Sequence, residues 1–394
     1  MNTDQPLTLL GGLTPRAFMH RYWQRKPLLI RQAIPDYEPS LSIADIRQLA
    51  KREEVESRLI WRDKGAWKMK VGPFTRLPSA KHPDWTLLVQ SVDVHDDATA
   101  QLMHQFRFIS DARLDDAMIS IATEGGGVGP HFDSYDVFLL QAHGKRRWRI
   151  GSQPDLSLTP GLPLKILKSF QPEHEYLLEP GDMLYLPPHI GHDGVAQGDC
   201  MTISIGFRAP TLATLACGIM EAASDQVMAR VGNDGGLYST PPLPGPVLSG
   251  RFKDPGTPAT ASPANLPDAL IHASLQAVGK IRFDEKLAVR FLGQWLTTPS
   301  NAAWFEPDEA RPNFAIKPDM TGALELDRCT RLMYRGTTLF INGEVAISRA
   351  SAPLRHLANE RRISCTSRLA QRLTQGEKRE LASWLTEGWL HYVP

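Results

Sequence analysis

The stretch "GPHFDSYDVFLLQAHGKRRWRIG", residues 129–151, decides the fold. His131 and Asp133 stand two apart at its start, and the residues after them read as a β-hairpin: an apolar strand, a turn near His143 and Gly144, and a returning strand. The returning strand carries Lys145, Arg146, Arg147 and Arg149, yet also Trp148 and Ile150. Alternate side chains on an extended strand point the same way. Lys145, Arg147 and Arg149 therefore share one face, while Arg146 shares the apolar, core-facing one with Trp148 and Ile150. A buried guanidinium is costly unless paired and hydrogen-bonded. Its planar fork matches a carboxylate through two parallel hydrogen bonds. An internal ion pair with Asp136 would satisfy Arg146, and so would an anion brought in from outside.

The same alternation lets His131 and Asp133 converge on one ion while Phe132 faces elsewhere. A dyad alone is weak, since a chain with 12 histidines and 43 acidic residues yields such pairs by accident. A second segment, "LEPGDMLYLPPHIGHDGVA" at 178–196, strengthens it. The Pro180–Gly181–Asp182 turn launches an apolar strand that stops at Pro187–Pro188, and two histidines come next, as in a cupin-type barrel whose third ligand enters from a distant strand. His192, between Gly191 and the next strand, is the expected third ligand; His189 is expected to be exposed or to lie behind the ligands. Two histidines and one carboxylate with open positions suit non-haem Fe(II) and oxygen activation. Beside such a metal, the expected partner of Arg146 is the distal carboxylate of 2-oxoglutarate, with the keto-acid end on the iron.

Working outward, residues 115–208 read as short β segments between Gly and Pro turns, the pattern of a β-sandwich or small barrel. Before them come helix-to-strand alternations. "TPRAFMHRYWQRKPLLI" opens on a Thr–Pro cap, and Asp96 and Asp97 sit at the start of a third helix. After them, "TLATLACGIMEAASDQVMARV" is a helix more apolar than one packing face needs, suited to docking on the barrel or to a dimer interface. Residues 239–266, rich in Pro, Gly, Ser and Thr, read as a linker. Two amphipathic helices, a hairpin turning at Asn342–Gly343 and a last helix then suggest a winged-helix-like module.

The chain has 394 residues, 42% hydrophobic and 22% charged, with a formal net charge of +1. Bulk charge therefore does not drive nonspecific binding to nucleic acid or membrane, though a local patch could. No apolar run reaches the ~18 residues of a spanning helix. The amino terminus lacks the basic region and apolar core of a secretory signal. Four scattered cysteines fit reduced thiols, and a cytoplasmic protein is expected.

At "GGGVGPHFDSYDVFLLQAHGKRRWRIG", "PGDMLYLPPHIGHDGVA" and "SIGFRAP" the sequence resembles the JmjC branch of the 2-oxoglutarate oxygenases, and within it the bacterial ribosomal oxygenases. The resemblance implies an α+β fold: a JmjC double-stranded β-helix within 1–209, a helical dimerisation segment and linker at 210–266, and a winged-helix-like domain at 267–394. It implies that His131, Asp133 and His192 hold Fe(II), that Arg146 takes the distal carboxylate of 2-oxoglutarate where many relatives use lysine, and that Ser120 helps seat it. Glu124 would face the substrate guanidinium, where a related enzyme has aspartate, and His143 would line the substrate mouth. The triple glycine 125–127 would let the loop backbone approach a peptide.

The implied reaction is 3-hydroxylation of an arginine in large-subunit ribosomal protein sixteen, by a cytoplasmic homodimer with no membrane partner and nucleic acid not as substrate. Histidine hydroxylation or lysine demethylation of another basic protein would keep the chemistry and change the target. A reading of another class makes the cupin a non-catalytic scaffold, with nucleic acid held by the basic run Arg355, Arg361, Arg362, Arg368 and Arg372.

Overall fold

The structure, a computed structural model, describes residues 2–233, 235–307 and 321–394. The chain divides into two compact units, Met1–Ala209 with Ser300–Trp304, and Pro210–Pro299 with Phe305–Pro394.

The first unit is built on nine strands: β1 (Leu28–Ile30), β2 (Ser57–Asp63), β3 (Ala66–Val71), β4 (Trp85–Val89), β5 (Leu114–Ala122), β6 (Val137–Gly151), β7 (His174–Leu178), β8 (Met183–Leu186) and β9 (Gly191–Phe207). They pair in the order β1-β8-β6-β9-β5-β4-β2-β3, with β7 also on β6. Two long strands, β6 and β9, run antiparallel along their whole lengths. The other edge of β6 is taken by β8 over Val137–Leu140 and by β7 over Arg146–Ile150. Successive residues of β6 enter different cores. Val137 and Leu139 join Trp148, Ile150, Leu178, Leu184 and Leu186 on one side, while Phe138, Leu140 and Ala142 join Met183 and Tyr185 on the other. Burial on both faces explains why "VFLL" is a continuous apolar run rather than an alternating one.

The second of those cores is closed by three short helices, α1 (Pro15–Arg21), α2 (Ile43–Leu49) and α3 (Asp97–His104), through Phe18, Ile46, Leu102 and Met103. Each helix starts on a side-chain cap: Thr14, Ser42 and Asp96 accept from the third helical N–H. Phe18 packs edge-on against Tyr185 at 5.0 Å and close to Phe138 at 5.5 Å between ring centroids. Beneath this cluster Asp136 is fully buried. Its carboxylate accepts from the Tyr185 hydroxyl (2.6 Å), Gln24 Nε2 (3.0 Å) and Arg113 Nη2 (3.4 Å).

The expected hairpin turn at His143–Gly144 is not a turn. β6 runs through it as one strand, with register shifts between Gln141 and Lys145 and Gly144 at φ +62°. The partner strand is equally continuous, so the turn residues are absorbed as a β-bulge. The bulge has a geometric effect. Leu139 and Arg146 are an odd number of residues apart, so an unbroken pleat would aim them at opposite faces. Both nevertheless point inward.

The second unit holds α4 (Leu212–Arg230), α5 (Asp268–Gly279), α6 (Glu285–Thr297), β10 (Ala323–Leu326), β11 (Leu332–Arg335), β12 (Thr338–Ile341), β13 (Glu344–Ile347), α7 (Ala352–Glu360), β14 (Arg362–Ser364), α8 (Gln375–Thr386) and β15 (Leu390–Val393). The strands form two small sheets, β14-β10-β15 and β11-β12-β13. Asn342 and Gly343, at φ +46° and +89°, make the tight turn that their sequence announced. Helices α4 and α6 pack through Ala222, Ala223, Leu287 and Phe291. Residues 239–266 contain no helix or strand, but their start is held: buried Gln226 accepts from Leu243 N, and Arg290 donates to Pro241 O at 2.7 Å.

Replacing Tyr185 with Phe removes the shortest hydrogen bond to a fully buried carboxylate. A loss of about 1–3 kcal/mol is expected, read as a lower urea midpoint for the first unit. An unchanged midpoint would show that Asp136 does not depend on that hydroxyl.

Candidate metal centre

His131 lies in the segment between β5 and β6, six residues before β6 begins, and His192 is the second residue of β9. The two backbones exchange hydrogen bonds, His131 N to His192 O at 2.9 Å and His192 N to His131 O at 2.7 Å. This pairing places the imidazoles side by side, ring centroids 4.2 Å apart. Asp133 completes the group: its Oδ2 lies 3.6 Å from His192 Nε2, and the ligand atoms of all three lie within 4.8 Å of one another. His189, the other candidate, is exposed with its ring beside Phe132, and its N–H donates to the Asp133 carbonyl.

Both histidines are oriented in the same way. His131 Nδ1 lies 2.9 Å from Gly129 O, and His192 Nδ1 lies 2.9 Å from Ile190 O. A carbonyl oxygen only accepts, so each Nδ1 carries a proton, and in the neutral ring Nε2 is the nitrogen left with a lone pair for a metal. Burial, and then the neighbouring His131, push the His192 imidazole down to about 4, which keeps it neutral at physiological pH. Two imidazoles with their Nδ1 atoms tied to carbonyls, converging with a carboxylate, fit a divalent metal ion.

Behind this group Arg146 and Trp148 project from β6 into the same interior. The Trp148 ring lies 5.9 Å from the His192 ring, and the Arg146 guanidinium 5.7 Å from the Trp148 ring centroid. Arg146 is 5% exposed. Its Nη1 donates to Ser120 Oγ at 3.3 Å, a neutral and long contact. Its Nε and Nη2 are buried with no hydrogen-bond partner among the described residues. The internal pair with Asp136 does not form, because that carboxylate is held by Tyr185, Gln24 and Arg113. A buried cation with two idle donors is costly by roughly several kcal/mol; the fork fits a carboxylate that enters from outside.

The outer face of the same strand is different. Lys145 pairs with Glu179 and Arg149 with Asp193, each at 2.5 Å. The polar partners of Arg146 are also on the interior: Ser120 Oγ donates to Thr202 O at 3.4 Å, and Thr202 Oγ1 donates to Gln141 at 3.0 Å.

Glu124 is exposed, and its carboxylate accepts from Gly198 N at 2.6 Å, which ties its loop to β9. The triple glycine serves the protein's own packing: a Cβ on Gly126 would fall 2.3 Å from Trp85 O, and one on Gly127 2.6 Å from Gly194 O. His143 is exposed on the bulge opposite Met201, not at a hairpin tip.

Two neighbours were not singled out from the sequence. Tyr135 lies near Asp133, and partial burial followed by the charge of that carboxylate raises its phenol well above the usual range. The 133/135 alternation could have signalled it. Trp67, from a distant hairpin, presses on Gly129, where a Cβ would lie 2.7 Å from its ring. No local pattern could have revealed that contact.

Comparison with known proteins agrees with this architecture. Residues 101–215 match the JmjC domain, and residues 280–391 match the ROXA-like winged helix. Over 228 residues the chain is 39% identical to the ribosomal protein uL16 3-hydroxylase of Escherichia coli K12, covering 58% of this chain and 60% of that protein. It is 38% identical over 220 residues to a probable ribosomal oxygenase of Haemophilus influenzae, covering 54% of each. The aligned stretches thus span a little over half the length of these curated relatives. The solved structure of YcfD, a ribosomal oxygenase from E. coli, with cobalt and 2-oxoglutarate superposes with a TM-score of 0.76 and 28% identity, over 97% of this chain and 99% of that one. The chain therefore carries a JmjC domain at 101–215 and a ROXA-like winged helix at 280–391, and in sequence and fold it is similar to the bacterial ribosomal oxygenases.

Proposed function

We propose that this chain is an Fe(II)- and 2-oxoglutarate-dependent hydroxylase of a ribosomal protein, with 3-hydroxylation of an arginine in uL16 as its reaction. The observation that carries the reading is the pairing of two features in one interior: a His131–Asp133–His192 cluster with both Nε2 atoms free, and a buried Arg146 with two idle donors. The E. coli relative named for uL16 3-hydroxylation supports the substrate, and the cobalt and 2-oxoglutarate complex of YcfD supports the co-substrate.

In this reading His131, Asp133 and His192 hold the iron, and the backbone acceptors at Gly129 and Ile190 fix the imidazoles for it. Arg146 grips the distal carboxylate of 2-oxoglutarate, and Ser120 orients the guanidinium. Tyr135 steadies Asp133. When bound, iron, keto acid and oxygen together supply the oxidising power that converts an unactivated C–H bond to C–OH. Glu124 is the carboxylate available to a substrate guanidinium, in exchange for its bond to Gly198, and His143 lines the approach. The setting is cytoplasmic. Among the described residues no helix is long and apolar enough to cross a membrane.

The functional unit in this reading is a homodimer. Helix α5 has no buried residue and exposes Leu270, Ile271, Leu275 and Val278, while α4 exposes Leu212, Met220 and Met228. A second copy would remove this apolar surface from water.

The deciding assay combines Fe(II), 2-oxoglutarate and a peptide from uL16, with succinate and peptide mass read together. One succinate per oxygen gained on arginine is expected, and none with His131→Ala. Turnover without a mass gain on arginine would remove the assigned target. Arg146→Ala should raise the 2-oxoglutarate requirement by about 100-fold or more, as two charge-assisted hydrogen bonds are lost, with metal affinity unchanged. Parallel loss of metal would overturn its role. Light scattering should give twice 43.8 kDa for the native chain and the monomer mass for a Leu275→Glu/Val278→Glu variant. A native monomer would end the dimer reading.

A further inference from the structure

The β2–β3 hairpin and the loop after it carry a concentration of positive charge that the reaction does not use. Residues 58–84 contain seven lysines or arginines (Arg58, Arg62, Lys64, Lys68, Lys70, Arg76 and Lys81), two aspartates and no glutamate. The chain as a whole has a net charge of only +1, so this excess is local. All of these basic residues except Arg58 are exposed, and among the described residues none of the exposed six forms an ion pair.

Their placement is set by strand pairing. Lys68 lies opposite Trp61 and Lys70 opposite Leu59, which sets both lysines on one face of the hairpin. Arg62 lies opposite Trp67 on the other face, its guanidinium 4.4 Å from the indole centroid. Lys64 is at the tip, with φ +49°. Positive charge thus wraps the hairpin. β3 ends the strand order, and no described strand pairs its outer edge. Lysines on a free edge also discourage pairing with another strand. That need is met by Lys68 and Lys70, and Arg62 rests on Trp67, which leaves Lys64, Arg76 and Lys81 without a structural reason.

The hairpin leans on the metal centre. Trp67 presses on Gly129, whose carbonyl accepts from His131 Nδ1. Whatever this hairpin holds is therefore held beside the residues that carry the reaction. We propose that the β2–β3 hairpin docks the phosphate backbone of RNA. Charge complementarity requires a polyanion. Exposed cations on both faces and the tip suit successive phosphates better than a flat membrane surface, where Val71 would be the hairpin's only exposed large apolar side chain among the described residues. The half-exposed Trp67, with Arg62 on its face, offers a stacking surface for an unpaired base. The choice of RNA over an acidic protein rests on the ribosomal-hydroxylase reading, because a ribosomal protein is met in contact with RNA. The enzyme would then recognise its substrate as part of a ribonucleoprotein, with RNA as a docking partner and not the group modified.

The test is fluorescence anisotropy of the full chain with a labelled RNA stem-loop, from about 50 to 200 mM KCl. The native chain should bind at low salt with a steep salt dependence. Lys64→Gln/Lys68→Gln/Lys70→Gln should bind at least about tenfold more weakly at 50 mM, with a salt slope shallower by about 2 to 3. Hydroxylation of the free uL16 peptide should be unchanged, and its circular dichroism should match the native chain. Arg368→Gln/Arg372→Gln, in the winged helix, should leave RNA binding within about twofold. Absence of native binding at low salt, an unaffected hairpin variant, or loss through the winged-helix variant would each overturn the proposal. Anisotropy does not depend on turnover, so failure of the hydroxylase reading would be seen separately.

Discussion

The ladder between β6 and β9 is the constraint on which the site depends. Along it Arg146 faces Ala196, Trp148 faces Gly194 and Ile150 faces His192, and His192 in turn exchanges two backbone hydrogen bonds with His131 in a separate bridge outside the ladder. β9 thus carries His192, bridges to His131 and pairs with the strand that carries Arg146, which gives the candidate ligands and the buried cation the precision that a chelate requires. Gly194 belongs to this arrangement. A Cβ there would meet the Trp148 ring at 2.7 Å, so glycine allows the indole to lie between the guanidinium and the imidazoles.

Polar partners are divided between the two faces of β6 in a way that explains the cluster of arginines. Outward, Lys145 and Arg149 meet acids on β9 and the turn before β8, and remain half-solvated. Inward, Arg146 meets a serine and keeps two donors unmatched among the described residues. An idle buried cation is not kept for stability, since an apolar side chain of similar volume would serve better. In the proposed function that cation is held for the carboxylate of a ligand.

Much of this was legible because it is local. Alternation placed Arg146 inward, the i, i+2 spacing joined His131 to Asp133, and the double proline with Gly191 separated His192 from His189. Caps at Thr14 and Asp96 and the turn at Asn342–Gly343 were equally plain. What escaped depends on partners far along the chain. β10 and β15 are four-residue strands that exist by pairing with each other. β3 and β4 carry weak patterns of their own, and Trp67 reaches Gly129 only through the fold. The His143–Gly144 turn misled because glycine at positive φ serves a bulge as well as a hairpin, and only the length of β9 distinguishes them.

That bulge gives the site an arithmetic. Upstream of it the inward residues of β6 are odd-numbered, as with Val137 and Leu139, and downstream they are even-numbered, as with Arg146 and Trp148. A one-residue deletion between Gln141 and Lys145 would keep every strand and every apolar contact before it, but turn the guanidinium out to solvent and bring a neighbour of opposite role inward. The length of this segment is therefore under tighter restraint than its composition. Another cation could replace the arginine within the same pleat, whereas a single residue gained or lost would reverse the strand beyond it.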